Sequence, residues 1–433
     1  MSVPLRSIRA VPRRQSDIDA CPGALRLFAA ADGPLARVRL PGGLLTGAQL
    51  AELGAIAAEL GDGHLELTSR ANVQLRALVT ADPTALAGRL TGAGLLPSVT
   101  HEVVRNIAAP PLSDPPTRAL IHHLDESLCA DDALTALPGR FLFAIGATGL
   151  VADVAAIPAG PAYAILLAGQ DEGLRVPADK TVTALLAAAH AFLELQATIV
   201  PPPWRLAEIP NGPARVAAMI APSLAASPTG DALPHAGAVA MPRMLVGVLD
   251  QGDGLVAVGA TVPLGRLTAE QIALLATADR LVLTPSRGVV IPDLAPAQAA
   301  HWLTALTAAG LPTAPDSRWS GVTACAGRPG CAKSLADVRA DALAATRFVE
   351  GLPVHWIGCA RGCGSPAGPH VRVEAAQAGY LVTIPATGRG QSAIPPRSVG
   401  DSATSSGGKT TPPPADGAKR MGLADIVAKA RKG

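Results

Sequence analysis

The alternation of apolar and polar residues predicts a succession of α/β segments, and two of these segments resemble each other. In the first, LPGGLLT (40–46) precedes a helical pattern and then the extended stretch LELTSRANVQL from residue 65. In the second, VPLGRLT (262–268) precedes a helical pattern and then LVLTPSRGVVI from residue 281. Because the match holds in order across three elements, it indicates a duplicated unit and predicts two similar halves that face each other.

The extended stretch of the first copy has polar side chains at every second position and apolar ones between them. This alternation predicts a single strand with one polar and one apolar face. A solvated face would give the same pattern, whereas two arginines with Asn and Gln between them would equally suit an anion-binding cleft. The polar positions are His64, Glu66, Thr68, Arg70, Asn72, Gln74 and Arg76.

Other segments stand out by composition. Residues 181–198 are rich in alanine and leucine and predict a helix, whereas residues 222–236 are rich in Pro, Ser and Gly and predict a linker. Residues 387–417 have too few apolar side chains to form a core, which predicts disorder. Residues 423–432 have the pattern of a short amphipathic helix, which either docks on the body or stays mobile.

Length and composition narrow the class of protein. A chain of 433 residues with 49% hydrophobic content can form two or three domains with cores. A net charge of +2 and an aromatic content of 3% argue against a nucleic-acid partner. The basic N-terminus has no apolar stretch of signal-peptide length, and no later segment offers about 20 uninterrupted apolar residues. We therefore expect a cytoplasmic protein with no membrane partner.

Four cysteines near the end of the chain form two closely spaced pairs. Five residues separate Cys325 from Cys331, and three separate Cys359 from Cys363. Glycine and proline flank both pairs, which lets the backbone turn tightly and approach inorganic sulfide closely. Because a cubane cluster needs four thiolates that converge on one small volume, we predict that these cysteines bind one [4Fe–4S] cluster.

Two other interpretations fit the cysteines less well. Zinc sites favour spacings of two to four residues in both pairs, and a disulfide framework suits small secreted domains. The remaining cysteines, Cys21 and Cys129, stand alone in the sequence and are expected to be packed small side chains.

The cysteine pairs follow three other motifs along the chain, LTSRANVQLR (67–76), HEVVRNI (101–107) and LPGRF (137–141). With these motifs in this order, residues 18–384 resemble the sirohaem-type nitrite and sulfite reductase superfamily. The resemblance implies an α+β fold of two pseudo-symmetric halves, each a ferredoxin-like unit plus a larger α/β unit, that enclose a tetrapyrrole beside a [4Fe–4S] cluster. Cys363 matches the cysteine that bridges the cluster and the sirohaem iron.

The same resemblance gives the expected division of the chain. The segments are a flexible N-terminus (1–17), ferredoxin-like unit 1 (18–82), reductase-type α/β unit 1 (83–221), the linker (222–236), ferredoxin-like unit 2 (237–300), reductase-type α/β unit 2 with the cluster site (301–386), the disordered segment (387–417) and a C-terminal helix (418–433).

One departure from the reductases concerns a lysine pair in their LPRKFK-like motif, which is matched here by Arg140 and Leu142. Leucine offers neither charge nor proton to an anion that is being reduced. The stretches CPGALRLF (21–28) and GRPGCAKSLADVRADA (327–342) are more similar to the precorrin-3B synthase branch. That branch implies an O2-dependent monooxygenase of aerobic cobalamin biosynthesis, which hydroxylates precorrin-3A at meso carbon 20 and forms a γ-lactone; a sirohaem-dependent sulfite or nitrite reductase is the alternative.

A cradle that holds a polycarboxylate tetrapyrrole cofactor can also hold a polycarboxylate tetrapyrrole substrate. The arginines expected to pair with its carboxylates are Arg70, Arg76, Arg105, Arg140 and Arg287, with Arg318 and Lys333 as weaker candidates. Because no GxGxxG motif follows a strand, electrons are expected from an external reductase or ferredoxin.

The precorrin-3B synthase branch further implies a mononuclear non-haem iron in place of sirohaem. Such iron commonly uses two histidines and one carboxylate. Two partial sets of these residue types occur in the sequence, which does not choose a triad from them. They are His122 and His123 with Asp125, and His101 with Glu102.

Overall fold

The computed structural model describes residues 19–224, 244–252, 254–366, 368–384 and 422–432. The predicted flexible N-terminus (1–17), the linker beyond residue 224 and the predicted disordered segment (387–417) lie outside the described residues. The chain separates into two compact units, residues 1–313 and residues 314–433.

The elements of the first unit follow the chain in this order. The strands are β1 (Phe28–Ala30), β2 (Gly33–Val38), β3 (Leu44–Thr46), β4 (Leu65–Leu67), β5 (Val73–Leu75), β6 (Ile107–Ala108), β7 (Phe143–Ile145), β8 (Val154–Ala159), β9 (Ala162–Leu167), β10 (Gln170–Pro177), β11 (Gly247–Asp250), β12 (Val256–Thr261), β13 (Arg266–Leu267), β14 (Arg280–Leu283) and β15 (Gly288–Leu294). The helices are α1 (Gly47–Leu60), α2 (Pro83–Gly92), α3 (Pro115–Cys129), α4 (Thr181–Ala197), α5 (Gly212–Ile220), α6 (Ala269–Leu275) and α7 (Pro296–Ala308).

Two five-stranded sheets of the first unit exchange a strand. Their orders are β1-β2-β5-β4-β13 and β11-β12-β15-β14-β3. Strand β13 belongs to the second copy of the repeat but pairs antiparallel with β4 of the first, and β3 of the first copy pairs with β14 of the second. The exchange is reciprocal, as expected of a duplicated unit, and the α+β class predicted from the sequence is confirmed.

Helices α1 and α6, one from each copy, begin in the same way. Thr46 accepts a hydrogen bond from the backbone N–H of Gln49, whose side chain accepts one in return, and the second copy repeats this capping box at Thr268. Each N3 glutamine also donates to a carbonyl beyond the next helix, Gln49 to Ala93 and its counterpart to Ala309. These shared contacts place both helices against a common apolar core.

The predicted single strand over the polar stretch of the first copy is wrong. Strands β4 and β5 are antiparallel neighbours, joined by a tight turn in which Ala71 has a φ of 58°. The Thr68 hydroxyl accepts hydrogen bonds from the backbone N–H groups of Arg70 and Asn72, and the Thr68 carbonyl accepts one from Ala71. A threonine that satisfies these groups locally favours a turn over continued extension.

The third sheet of the first unit has the order β10-β9-β8-β7-β6. Strands β6, β7 and β8 are parallel, and β9 and β10 continue the sheet antiparallel. Apolar side chains from α3, α4 and α5 share a core with this sheet.

The second unit contains one four-stranded sheet. Its strands are β16 (Val322–Ala324), β17 (Val354–Ile357), β18 (Val371–Ala376) and β19 (Gly379–Thr383), in that spatial order, and its helices are α8 (Val338–Ala345) and α9 (Leu423–Arg431). The first three strands are parallel, and β19 is antiparallel to β18.

Helix α9 docks on the second unit, which is one of the two outcomes that its sequence allowed. Arg431 is only 4% exposed, and its guanidinium donates to the carbonyls of Ser320 and Leu352 at 2.8 Å each. In the part of the chain that the structure describes, no helix has the length and apolar character needed to cross a membrane.

Candidate functional site

The four predicted cluster ligands all lie in the second unit, on two loops that leave adjacent parallel strands. Cys325 directly follows β16, and Cys359 follows β17 after one glycine. In the parallel register Ala324 lies opposite Trp356, so both loops start at the carboxyl edge of the sheet. This edge is where open α/β sheets commonly bind their ligands.

Backbone hydrogen bonds tie the two cysteine loops together. The N–H of Cys325 donates to the carbonyl of Trp356 at 2.9 Å, and the N–H of Gly358 points at the Cys325 sulfur at 3.3 Å. The N–H of Leu335 donates to the Gly358 carbonyl at 2.8 Å. The loops therefore form one structure with a backbone donor aimed at a sulfur that would be a thiolate when it ligates iron.

Glycine is required next to Cys359. A β-carbon at Gly358 would lie 1.8 Å from the Ser334 hydroxyl oxygen, which is far inside contact distance. Gly362, between the second pair of cysteines, has a φ of 63°. Residues other than glycine adopt this left-handed backbone conformation only at a cost in free energy. The glycines that flank the second pair thus have a steric role in forming the loop.

The thiols lie close enough to influence one another. Burial raises the pKa of the Cys325 thiol, and burial also raises the pKa of Cys363, with further contributions from Cys325, Cys359 and Cys331. Within the described residues, no three His, Cys, Asp or Glu side chains converge tightly enough to coordinate a single metal ion.

The described residues do not fit the mononuclear iron implied by the resemblance. His122 and His123 are exposed on α3, while Asp125 on the same helix faces Arg105. His101 is buried, and its ring bonds to the Ser98 hydroxyl and the Asp131 carbonyl.

Glu102 is committed as well, because its carboxylate accepts the backbone N–H groups of Ala24, Leu25 and Arg26. Neither partial set therefore forms a triad.

A group of arginines in the first unit forms a second candidate site. Arg70 donates to the Arg140 carbonyl at 2.9 Å, so the structure brings two of the predicted arginines together. Burial and the nearby charge of Arg205 lower the pKa of Arg70 to about 10. The guanidinium of Arg140 is exposed and lies 5.0 Å from the centre of the Trp204 ring.

Two more arginines join this group, and sequence reasoning missed them. Arg37 lies on β2, and Arg39 directly follows that strand, with Leu40 between it and the turn at Pro41–Gly43. Burial lowers the pKa of Arg37, with a further contribution from Arg140, and burial together with Arg37 and Arg70 lowers the pKa of Arg39 to about 9. Their spacing of two residues in an extended stretch is the signal that could have revealed them.

Arg39 has the most unusual surroundings of the group. Its side chain is 2% exposed, and its Nη1 donates to the carbonyls of Pro22 and Arg37. Its Nε and Nη2 are buried and have no hydrogen-bond partner among the described residues. A cavity of about 10 Å³, enough for one water, lies against Arg37, Arg39 and Glu102. The two buried donors without a partner cost free energy until a water or an anion satisfies them.

Cys21, expected to be a packed side chain, lies next to this arginine group. Asp19 accepts the backbone N–H groups of Cys21 and Gly139, and Arg26 donates to the Cys21 carbonyl. Burial and the Asp19 carboxylate raise the pKa of the Cys21 thiol. The other isolated cysteine, Cys129, is half-buried, and burial raises its pKa to about 11.

The guanidinium groups of Arg76 and Arg105, two of the predicted arginines, are engaged by carboxylates of the protein. Arg76 is bidentate to Asp32 at 2.9 Å and lies 3.7 Å from Glu66. Arg105 is bidentate to Asp125 at 2.6 and 2.7 Å. Both are buried ion pairs, so we leave them out of the proposed binding set.

Three predicted basic residues remain, Arg287 in the first unit and Arg318 and Lys333 in the second. Arg287 is in the turn before β15, with a φ of 60°, and its side-chain stem lies over Gly265. In the second unit, the Arg318 guanidinium stacks over Trp319 at 4.5 Å, and Lys333 is exposed between Cys331 and Ser334.

Leu142, at the position that the resemblance matches to a reductase lysine, is 3% exposed. It packs in a small apolar cluster with Ala108, Ala144, Ala155 and Leu166. Its backbone N–H donates to the buried Asp153, which also accepts from Arg205. No proton donor is available from the side chain at this position.

Comparisons with known proteins show what this chain is similar to. Residues 31–93 match the family model described as the nitrite/sulfite reductase ferredoxin-like half domain. The fold is similar to that of the solved NirA protein of Mycobacterium tuberculosis, with a TM-score of 0.64, 22% identity, and coverage of 81% of this chain and 74% of NirA. Residues 31–93 are thus similar to a ferredoxin-like half domain of the nitrite/sulfite reductases, and the fold of the chain is similar to that of NirA.

Among its relatives are proteins of two activities. It is 28% identical to a ferredoxin–nitrite reductase of Synechococcus elongatus over 77% of this chain and 74% of that protein. It is 26% identical to a precorrin-3B synthase of Sinorhizobium sp over 84% and 82%. Both relatives are oxidoreductases, which supports an oxidoreductase here.

Proposed function

We propose that the protein is a precorrin-3B synthase, an O2-dependent monooxygenase that hydroxylates precorrin-3A at meso carbon 20 with formation of a γ-lactone. The observation that carries this proposal is Leu142, a buried leucine in an apolar cluster. The resemblance matches this position to a lysine of the reductases. A reductase must deliver several protons to a small anion, and this position supplies none.

The arginine group would hold the substrate. A polycarboxylate macrocycle presents several anions at once, and Arg37, Arg39, Arg70 and Arg140 present several cations on one part of the first unit. Each charge-assisted hydrogen bond contributes about 1.5–3 kcal/mol where water is excluded. Arg39 has the largest expected gain, because its two free donors are already desolvated.

Other residues of the chain would orient this group. Asp153 holds Arg205 through its side chain, and the Arg205 charge lies near Arg70. The Asp19 carboxylate ties the segment before Cys21 to Gly139, next to Arg140. These contacts fix the positions of the cations before any ligand arrives, which lowers the entropy cost of binding.

The four cysteines would hold a [4Fe–4S] cluster, which supplies single electrons when bound. Hydroxylation places one atom of O2 in the product and releases the other as water, and this consumes two electrons and two protons. An external reductase or ferredoxin would provide the electrons. One relative is named as a ferredoxin–nitrite reductase, which gives ferredoxin as the electron donor of that protein. The described residues do not fit a mononuclear iron, so no step is assigned to it.

The alternative function is a sirohaem-dependent sulfite or nitrite reductase. The same arginine group would then bind the carboxylates of sirohaem, and Cys363 would match the bridging thiolate by resemblance. The observation that favours this alternative is the similarity of the chain to two ferredoxin–nitrite reductases.

Anaerobic purification followed by absorption spectroscopy and iron and sulfide analysis separates the two functions. A synthase is expected to show broad cluster absorption with about four irons and four sulfides. With reductant and ¹⁸O2 it should add one labelled oxygen to precorrin-3A. A sirohaem Soret band, with sulfite or nitrite reduced and precorrin-3A unchanged, would establish the reductase instead.

A further inference from the structure

We infer that His355 is a positioning residue for the cluster, and that it fixes the second cysteine loop through a hydrogen bond to the backbone carbonyl of Cys363. This inference rests on the proposed function in one respect, namely that the four cysteines hold a [4Fe–4S] cluster. It assigns a task to a histidine that neither the cysteine motif nor the arginine group explains.

His355 is completely buried on β17, four residues before Cys359. Its Nε2 lies 3.0 Å from the Cys363 carbonyl oxygen, and its Nδ1 lies 2.7 Å from the Thr323 hydroxyl. In the parallel register of β16 and β17, Thr323 is directly opposite His355. The imidazole therefore connects the strand that leads to Cys325 with the loop that carries Cys363.

The chemistry of the partners determines where the ring hydrogen lies. A carbonyl oxygen only accepts, so Nε2 must carry a hydrogen and donate it. In the neutral ring Nδ1 is then an acceptor, and the Thr323 hydroxyl can donate to it. The Cys363 carbonyl thus fixes the tautomer, and the Thr323 hydroxyl, which can donate as well as accept, holds the other side of the ring in the way that second-shell partners orient metal-binding histidines.

Cys363 has the greatest need of such support. It is the exposed member of the four cysteines, and its loop turns through the left-handed Gly362 and Gly364. Arg372 holds the start of the same loop by donating to the Ala360 carbonyl at 3.0 Å. His355 holds the end of the loop, so its loss should release the Cys363 thiolate more than the other three.

Two substitutions separate the two halves of the imidazole. His355→Gln can place its amide nitrogen near the position of Nε2 and keep the donor to Cys363. His355→Asn reaches only the position of Nδ1, so it keeps a partner for Thr323 and loses Cys363. The matched control is His370→Asn, because His370 is also buried, lies 6.4 Å from His355 between ring centres, and bonds to the Gly368 carbonyl instead of a cysteine.

The measurements are the rate of cluster loss to a ferrous chelator, the electron paramagnetic resonance spectrum of the reduced cluster, and the thermal melt. We expect His355→Asn to lose its cluster about tenfold faster than wild type and to show a changed spectrum, with secondary structure unaltered. His355→Gln should restore the wild-type rate and spectrum to within about twofold, and His370→Asn should match wild type.

Three results would overturn the inference. Wild-type behaviour of His355→Asn would remove the positioning role, and equal cluster loss in His370→Asn would reduce it to general packing. Failure of His355→Gln to restore the spectrum would show that the donor is not what matters. Wild-type protein without four irons and four sulfides would instead refute the proposed function, and this inference with it.

Discussion

Buried arginines of the first unit differ in whether a carboxylate of the chain balances their charge. Arg76 and Arg105 are bidentate to carboxylates of the chain, whereas Arg39 donates only through one nitrogen to backbone carbonyls. A paired buried cation is structural, because removing it strands its partner. A buried cation without a carboxylate partner lowers stability until an anion binds to it. The presence or absence of a carboxylate partner therefore separates arginines that stabilise the fold from arginines available to a ligand.

The strongest test of this contrast is Arg76→Met, which removes the cation that faces Asp32 and the buried Glu66. We expect the free energy of unfolding to fall by about 3–5 kcal/mol, measured by urea denaturation. Arg89→Met is the matched control, since its partners Glu52 and Glu59 are solvent-accessible and its loss should cost at most about 1 kcal/mol. Equal losses in the two variants would contradict the assignment of Arg76 to the fold.

Arg431 provides an intermediate case in the second unit, because carbonyls and not carboxylates accept its hydrogen bonds. Arg431→Met leaves the Ser320 and Leu352 carbonyls without that donor, and we expect a loss of about 2–3 kcal/mol. Arg347→Met is the control, since Arg347 pairs with Asp425 of α9 and both side chains are about half exposed. A thermal melt of the second unit that is unchanged in Arg431→Met would mean that α9 contributes little to stability.

Arg39→Met should leave stability nearly unchanged and weaken ligand binding, in contrast to Arg76→Met, which should lower stability. Its stability should change by less than about 1 kcal/mol, since an unpaired buried charge is replaced by an apolar side chain of similar length. Binding of a polycarboxylate porphyrin, followed by fluorescence quenching, should weaken about 10- to 100-fold. A variant that is strongly destabilised but binds the porphyrin normally would place Arg39 with the structural set.

The smallest expected effect concerns Asp19, an anion at the edge of the arginine group. Burial alone would raise its pKa, but hydrogen bonds from Cys21 and Gly139 hold the pKa below its ordinary value of 3.8. The stabilisation by the ionised form is therefore complete above about pH 4 and is lost as the pH falls through the lowered pKa.

Asp19→Asn should differ from wild type by about 1 kcal/mol or less at pH 6, and this difference should shrink toward pH 3 in parallel urea titrations. A difference that stays constant across this range would exclude ionisation of Asp19 as its source.

The sequence was sufficient for features that depend on local pattern. The duplicated segments, the helices at 181–198 and 423–432, and the cysteine spacing needed only periodicity and composition. The arginine roles could not be assigned in this way, because Asp32 lies 44 residues from Arg76 and Asp125 lies 20 residues from Arg105. Whether a cation has a partner is a property of the tertiary structure.

The prediction of a single strand over the polar stretch of the first copy was wrong for a different reason. Its alternation is real on both sides of the turn, so a hairpin and a single strand give the same period. The Thr68 side chain, which bonds to Asn72 four residues on, decides between the two structures, and Thr at that position carries no strong turn signal. His355 was missed because its link to Cys363 depends on the register of β16 and β17.

The exchange of β3 and β13 between the two ferredoxin-like sheets has a consequence for how the protein is made. A ribosome releases β1, β2, β4 and β5 early, yet the strand that completes their sheet ends only at Leu267. Until then β4 presents an unpaired edge, which is open to pairing with other chains during synthesis. Duplication has thus made each half the folding template of the other, and neither sheet can be completed from its own copy alone.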